Sequence, residues 1–336
     1  MSNDTPFGFG PGGGGDPDKP GDFGGMQLFA QLQQLLSWQG GAVNWDLAKQ
    51  LAVQGLAGDD ADVPADDRAA VADAIRLADL WLDEVTELPS GVHTVETWTR
   101  HEWLERTLPI WRQLCDPVAE RVVAAMSSAL PSDGETPEQT QALGALGGML
   151  PPGGIGAIMN QVGGLMFGAQ VGQGLSGLAR EVVAATDIGL PIGPNGVAAL
   201  VAANVDAFGE GLERPSDEVR LYLALREAAH QRLFSHVPWL RQRMLDTVAA
   251  YAQGITVDLS AIERAMGEVD PTNPQSVQEA LSGGLFEPQT TPEQQAALRR
   301  LETLLALVEG WVDAVVAAAS GERMPGAEAL REASRR

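Results

Sequence analysis

Cysteine is all but missing from this chain, with Cys115 alone among 336 residues. A single thiol excludes an intrachain disulfide and any zinc cluster built from cysteines of one chain. Basic residues are scarce as well: 22 Lys and Arg stand against 45 Asp and Glu, a formal charge of -23. Nucleic-acid binding needs a basic face to displace counterions, and anionic membrane surfaces attract the same charge. Neither partner is expected, and the acidic excess serves solubility. No uninterrupted apolar run approaches the roughly 18 residues of a membrane span. The N-terminus has neither the basic nor the apolar region of a secretory leader. With no disulfide to protect, a cytoplasmic address is expected.

Aromatic residues make up only 5% of the chain, and β-branched residues are thin beside Ala, Leu, Glu, Gln and Arg. That balance favours helix over sheet. A hydrophobic content of 44% is enough for a substantial core. Residues 1–25 hold Gly, Pro and Asp with three phenylalanines, too little apolar surface to offset their ordering entropy, and read as a disordered tail. Residues 26–336 read as one mainly helical domain, with an internal boundary near the polar stretch 131–140.

Within that domain, helical periodicity starts at Met26 and recurs at Asn44–Leu56, Asp66–Glu87 and Thr94–Met126. In Asp66–Glu87, Val71, Ile75, Leu77, Leu80, Trp81 and Val85 are available to the core. Pro109 and Pro117 are expected to end or kink the fourth segment. Gly164, Gly168 and Gly172 recur every four residues, so one face of a helix there admits another backbone closely. Residues 188–208 carry turn chemistry and more Val, the best place for a short strand. Ser216 can cap a helix that runs to Pro238. Thr291-Pro292-Glu293-Gln294 reads as cap, N1 proline and capping-box Gln of a helix reaching about Ala319.

Two of these helices carry chemistry. A thermolysin-type zinc site needs two His one turn apart on one helix face, a Glu beside the first as general base, and an acidic ligand from a second helix. Arg226-Glu227-Ala228-Ala229-His230 supplies the Glu-x-x-His part, with Arg where the first His belongs. Val308-Glu309-Gly310-Trp311-Val312-Asp313 lies on the second helix. A guanidinium is permanently protonated and cannot donate a lone pair to zinc. Two readings follow. Arg226 forks onto Glu309, Glu302 or Asp313 and replaces a metal as interhelical glue, or zinc binds through His230, Glu309 and a third residue.

Other chemistries have less support. His101 and Glu105 form a weak half-site, one turn apart. His236 reads as a helix-end residue. Ser-His-Asp hydrolysis lacks a GxSxG elbow, and Cys115, among Trp111, Leu114 and Val118, reads as buried. Trp239 and Trp311 read as core residues.

The two motif segments resemble the gluzincin arrangement, in which a Glu-Gly-Trp-like turn gives the third ligand. More broadly, VNWDLAKQLA, AIRLADLWLDEVTELP, DEVRLYLALREAAHQRLFSHVPWL, ITVDLSAIE, GLFEP and RLETLLALVEGWVDAVV resemble a zincin-like family of zinc-dependent metalloproteases or hydrolases of high-GC Gram-positive bacteria. These stretches span most of residues 26–320. The resemblance implies a gluzincin-type helical scaffold with little sheet, Glu227 as general base, His230 and Glu309 as zinc ligands, and Asp313 as the acid that orients a ligand histidine. It also implies a further C-terminal section beyond the final ALREASRR. Zinc is the implied cofactor, and a peptide or protein the implied partner, bound either for hydrolysis or, with Arg226 in the motif, by a non-catalytic pseudoenzyme.

Overall fold

A computed structural model describes residues 41–58, 60–128, 154–253 and 291–335. The tail 1–25, the helix expected from Met26, the stretch 131–140 and the segment around 262–288 lie outside these residues. The described elements are mainly helical: α1 (Trp45–Leu56), α2 (Ala65–Asp83), β1 (Thr94–Trp98), α3 (Arg100–Ser128), α4 (Gly154–Glu181), β2 (Val197–Val201), α5 (Ala202–Gly209), α6 (Ser216–His236), α7 (Pro238–Gln253), α8 (Pro292–Ser320) and α9 (Ala327–Ala333).

The centre of the fold is α6. From Tyr222 to Leu233 every residue is buried, among α2, β2, α5 and α8. A helix buried all round is normally apolar, yet this stretch includes Arg226, Glu227, His230, Gln231 and Arg232. Buried polar groups need partners, so the sequence of α6 dictates what must surround it. Pro215 rather than Ser216 occupies the cap position, and no side chain caps it.

One sequence expectation fails around residue 100. Residues 94–98, read as helix, form β1, which pairs in parallel with β2 from Thr94↔Val197 to Trp98↔Val201. The helix starts later, at a capping box: the Thr99 hydroxyl accepts from the Glu102 N–H at 3.0 Å, and the Glu102 carboxylate accepts from the Thr99 N–H at 2.8 Å. Of the two outcomes expected at Pro109 and Pro117, an end or a kink, α3 does not end at them; both lie inside it. Pro109 is exposed, so water can take the carbonyl its ring leaves unbonded. The buried Trp103, Leu104, Leu108 and Leu114 bind the helix to the core across the interruption.

The β2 strand divides the interior. Ala198 and Leu200 face the core shared by α2, α6 and α8, while Ala199 and Val201 face the core of α1, α3 and α4. This is the two-residue alternation of a strand covered on both faces. On its other edge, residues 183–185 run antiparallel to β2, with Ala185 N–H donating to Ala199 at 3.0 Å and Val201 N–H to Val183 at 2.9 Å. The strand expected within 188–208 is therefore present.

The glycine stripe does what its spacing predicts. A Cβ at Gly168 would lie 2.5 Å from the Asn44 carbonyl oxygen, and one at Gly172 2.6 Å from that of Ala48. Asn44 N–H donates to the Gly164 carbonyl at 2.9 Å, so α1 rides directly on α4. On α2, Val71, Ile75, Ala78 and Leu82 are buried, whereas Leu77 and Leu80, counted for the core, are exposed. The full capping box at Thr291 and Gln294, with Pro292 inside the first turn, is present on α8. By length and composition the helix Pro292–Arg323 could cross a membrane. In this fold it packs on α6 and α7 and carries two acids bonded to Arg226.

Candidate functional site

Helical spacing puts Arg226 and His230 one turn apart on α6, and Glu309 and Asp313 one turn apart on α8. The two pairs meet across the seam. Arg226 Nη2 donates to Glu309 Oε2 at 2.5 Å, and Arg226 Nη1 donates to Asp313 Oδ1 at 2.6 Å. One planar guanidinium thus bridges two carboxylates, geometry that suits Arg better than any other cation. His230 Nε2 sits 2.9 Å from the second Glu309 oxygen, and its Nδ1 sits 2.9 Å from the Arg226 carbonyl oxygen. Both ring nitrogens thus lie within hydrogen-bond distance of an oxygen.

The charges reinforce one another. Burial pushes the Glu309 carboxyl up, but hydrogen bonds and charge from His230 and Arg226 outweigh it and hold it below the usual range. For Asp313, burial again acts upward and is outweighed by Arg335 and Arg226. Arg335 reaches the free oxygen of Asp313 with Nη2 at 2.5 Å and Nε at 3.2 Å. Burial disfavours the charged form of Arg226, yet Glu309 and Asp313 shift it the other way, further above its ordinary value.

Asp313, for which the resemblance implies the role of orienting a ligand histidine, holds Arg226 and Arg335; the His230 imidazole lies between the Arg226 carbonyl and Glu309. Glu302 is exposed and joins no ion pair with Arg226. It lies seven residues before Glu309, about 10 Å along the helix axis, beyond a fork already filled by two acids.

Glu227, the expected base, points elsewhere. It is fully buried; Oε2 accepts from the Thr186 hydroxyl at 2.5 Å and its N–H at 3.1 Å, and Oε1 accepts from Gln231 Nε2 at 2.9 Å. Gln231 also donates to the Val197 carbonyl at 2.9 Å, tying the carboxylate to β2. Burial pushes the Glu227 carboxyl above the usual range despite these donors. A general base must reach a water or substrate proton; among the described residues the hydrogen bonds of Glu227 run to Thr186 and Gln231.

Sequence reasoning missed Thr186, Asp187, Gln231 and Arg335. Asp187 accepts from the Val183 N–H at 3.0 Å and feels the charges of Arg226, His230 and Glu309. Its own loop crosses the seam: Gly189, at φ +70°, lies so close that a Cβ would meet Glu309 Oε1 at 3.1 Å. The usable signal was the polar content of a buried helix; for loop residues and the C-terminal Arg335 no spacing rule applied.

The remaining candidates resolve simply. Glu105 pairs with Lys49 at 2.7 Å, with His101 behind at 3.6 Å, so the half-site is a surface ion pair. Burial pushes the Cys115 thiol up to about 11, leaving it a poor nucleophile. Trp311 packs against the core, but Trp239, read as a core residue, is 61% exposed.

A catalytic zinc needs three protein donors and one open position. Here His230 and Glu309 converge, the third place holds a guanidinium, and both Glu309 oxygens are bonded. Among the described residues no three His, Cys, Asp or Glu side chains form a metal-holding group. The donor set does not fit a catalytic zinc ion.

A family model described as zincin-like metallopeptidase matches residues 43–336. The fold is similar to a crystal structure from Chloroflexus aurantiacus described as a candidate hydrolase with a novel fold, with a TM-score of 0.55. The alignment covers 87% of this chain and 74% of that one at 18% identity, a likeness of fold alone. No curated protein matches the sequence.

Proposed function

This chain belongs to the zincin-like metallopeptidase family, and from that membership we propose that it is a member without zinc-dependent hydrolysis, whose seam between α6 and α8 is closed by protein charge. One observation carries the reading: a single Arg226 guanidinium bonds Glu309 and Asp313 at 2.5 and 2.6 Å. The acids that would serve a metal are neutralised by a group that never loses its proton. In this reading the scaffold is kept to bind a peptide or protein, in the manner of a pseudoenzyme.

Elemental analysis of the full chain purified without chelator tests this directly. Substoichiometric zinc, with no cleavage of a denatured-protein substrate when zinc is added, is the expected result. One equivalent of zinc that disappears in His230→Ala overturns it.

A second reading, an active zinc hydrolase with Glu227 as base, draws on one feature. The Nδ1 contact of His230 to the Arg226 carbonyl fixes the ring with Nε2 aimed at Glu309, the orientation a metal-binding imidazole also uses. That reading requires Arg226 to leave the seam and a third donor to enter it.

A further inference from the structure

Next to the seam, the loop at Pro191–Gly196, His93 and the start of α7 enclose a cavity of about 380 Å³, within the ordinary range for small-ligand pockets. Thr186 and Gln231, which bond Glu227, form part of its wall. A single layer of side chains thus separates the cavity from that buried carboxylate.

The chemistry of the cavity is set by Arg241, in the first turn of α7. Its Nη1 donates to Asn195 Oδ1 at 2.6 Å. Among the described residues no carboxylate forms an ion pair with it, whereas Arg226, Arg232, Arg323, Arg331 and Arg335 each hold at least one. The half-buried Arg241 therefore has a neutral amide beside it and, among the described residues, no carboxylate paired with it. Burial moves Arg241 below its ordinary value with no acid acting against it. Asn195 orients the fork, leaving its remaining N–H donors for an anion.

The rest of the wall is mixed. Phe234, Pro191 and Pro194 are apolar, while His93 and Ser235 add polar groups. The loop is held against His93 at Gly196, whose φ is +72° and whose Cβ would lie 2.4 Å from the imidazole Cδ2. Only glycine fits there, so the cavity is a formed feature of the fold.

We infer that this cavity binds a carboxylate carried on an apolar group, with Arg241 as its anchor and Asn195 as the residue that positions Arg241. A free organic acid and the C-terminal residue of a peptide share this chemistry. The inference is independent of the zinc-free reading, because neither Arg241 nor Asn195 touches the Arg226 cluster.

Calorimetric titration of the full chain with N-acetyl-leucine, N-acetyl-leucinamide and N-acetyl-Ala-Ala-Leu tests it. The acid should bind at least about tenfold more tightly than the amide, as expected for a charge-assisted bidentate contact. Arg241→Gln should abolish the preference. Asn195→Ala, which keeps the charge and loosens its position, should weaken the acid about threefold without touching the amide. A tripeptide acid tighter than N-acetyl-leucine identifies a peptide C-terminus; equal affinities identify a free acid. Equal binding of acid and amide, no binding by any probe at millimolar concentration, or an unchanged preference in folded Arg241→Gln overturns the inference. Arg226→Met should leave the titration unchanged, which separates this site from the seam.

Discussion

Arg226 and Arg232 lie six residues apart on the same buried helix, and they neutralise their surroundings in opposite ways. Arg232 is fully buried and faces the end of α2, where it donates to the carbonyls of Leu88 and Asp79 and to the carboxylates of Asp79 and Asp83. Asp79 lies in the last turns of α2 and Leu88 in the segment that follows it, so the cation sits near the negative end of the helix dipole. Arg226 meets side-chain carboxylates only, Glu309 and Asp313, across a seam where Glu309 keeps about a third of its exposure. Backbone ligands make Arg232 part of the architecture. Acidic side-chain ligands make Arg226 an occupant of a place where a metal's donors would converge.

The contrast can be broken first at Arg232. Arg232→Ala removes a buried cation and strands two carbonyls, so urea denaturation should show a loss of about 3–5 kcal/mol, the range for breaking a buried ion pair. Arg226→Met should cost less, about 1–3 kcal/mol, because His230 still faces Glu309 and Arg335 still holds Asp313. A larger loss for Arg226 than for Arg232 would reverse the assignment of roles.

Acid sharpens the same comparison. Glu309 and Asp313 are held below their ordinary range in the fold. Depressed carboxylates contribute stability that is complete above their unfolded-state values, about 4, and is lost as pH falls through the lower folded-state values. The stability gap between wild type and Arg226→Met should therefore close in acid, measured by thermal unfolding from neutral pH downward. A gap that widens below pH 4 would contradict the ion-pair account. The smallest effect belongs to Glu302, which is exposed and outside the cluster: Glu302→Gln should change stability by no more than about 0.5 kcal/mol.

Much of this was legible before any coordinates. The ends of α8 follow from Thr291, Pro292 and Gln294, and the closeness of α1 to α4 follows from the glycine spacing. Arg226, His230, Glu309 and Asp313 converge as their four-residue spacings on two helices require. What was not legible depended on partners distant in sequence. β1 is five residues that only β2, a hundred positions later, makes into a strand; the T-x-x-E of Thr99 and Glu102 marked the true helix start. Pro109 and Pro117 obey packing rather than propensity, since apolar contacts on either side hold α3 through both. The enclosure of Glu227 by Thr186 and Gln231 needed the loop to be placed first. Asp313 took a different partner because Arg226, a longer and permanently charged side chain, reached it.

Zinc titration of Arg226→His beside wild type, followed by a chromogenic competitor, tests most directly the claim that Arg226 alone keeps metal from this seam. A His at 226 would complete the donor set of His230 and Glu309 to the three that a catalytic zinc requires. The account predicts negligible competition by wild type and one zinc per chain in the variant, at least about a hundredfold tighter. Equal affinities in the two proteins, whether strong or absent, would contradict it.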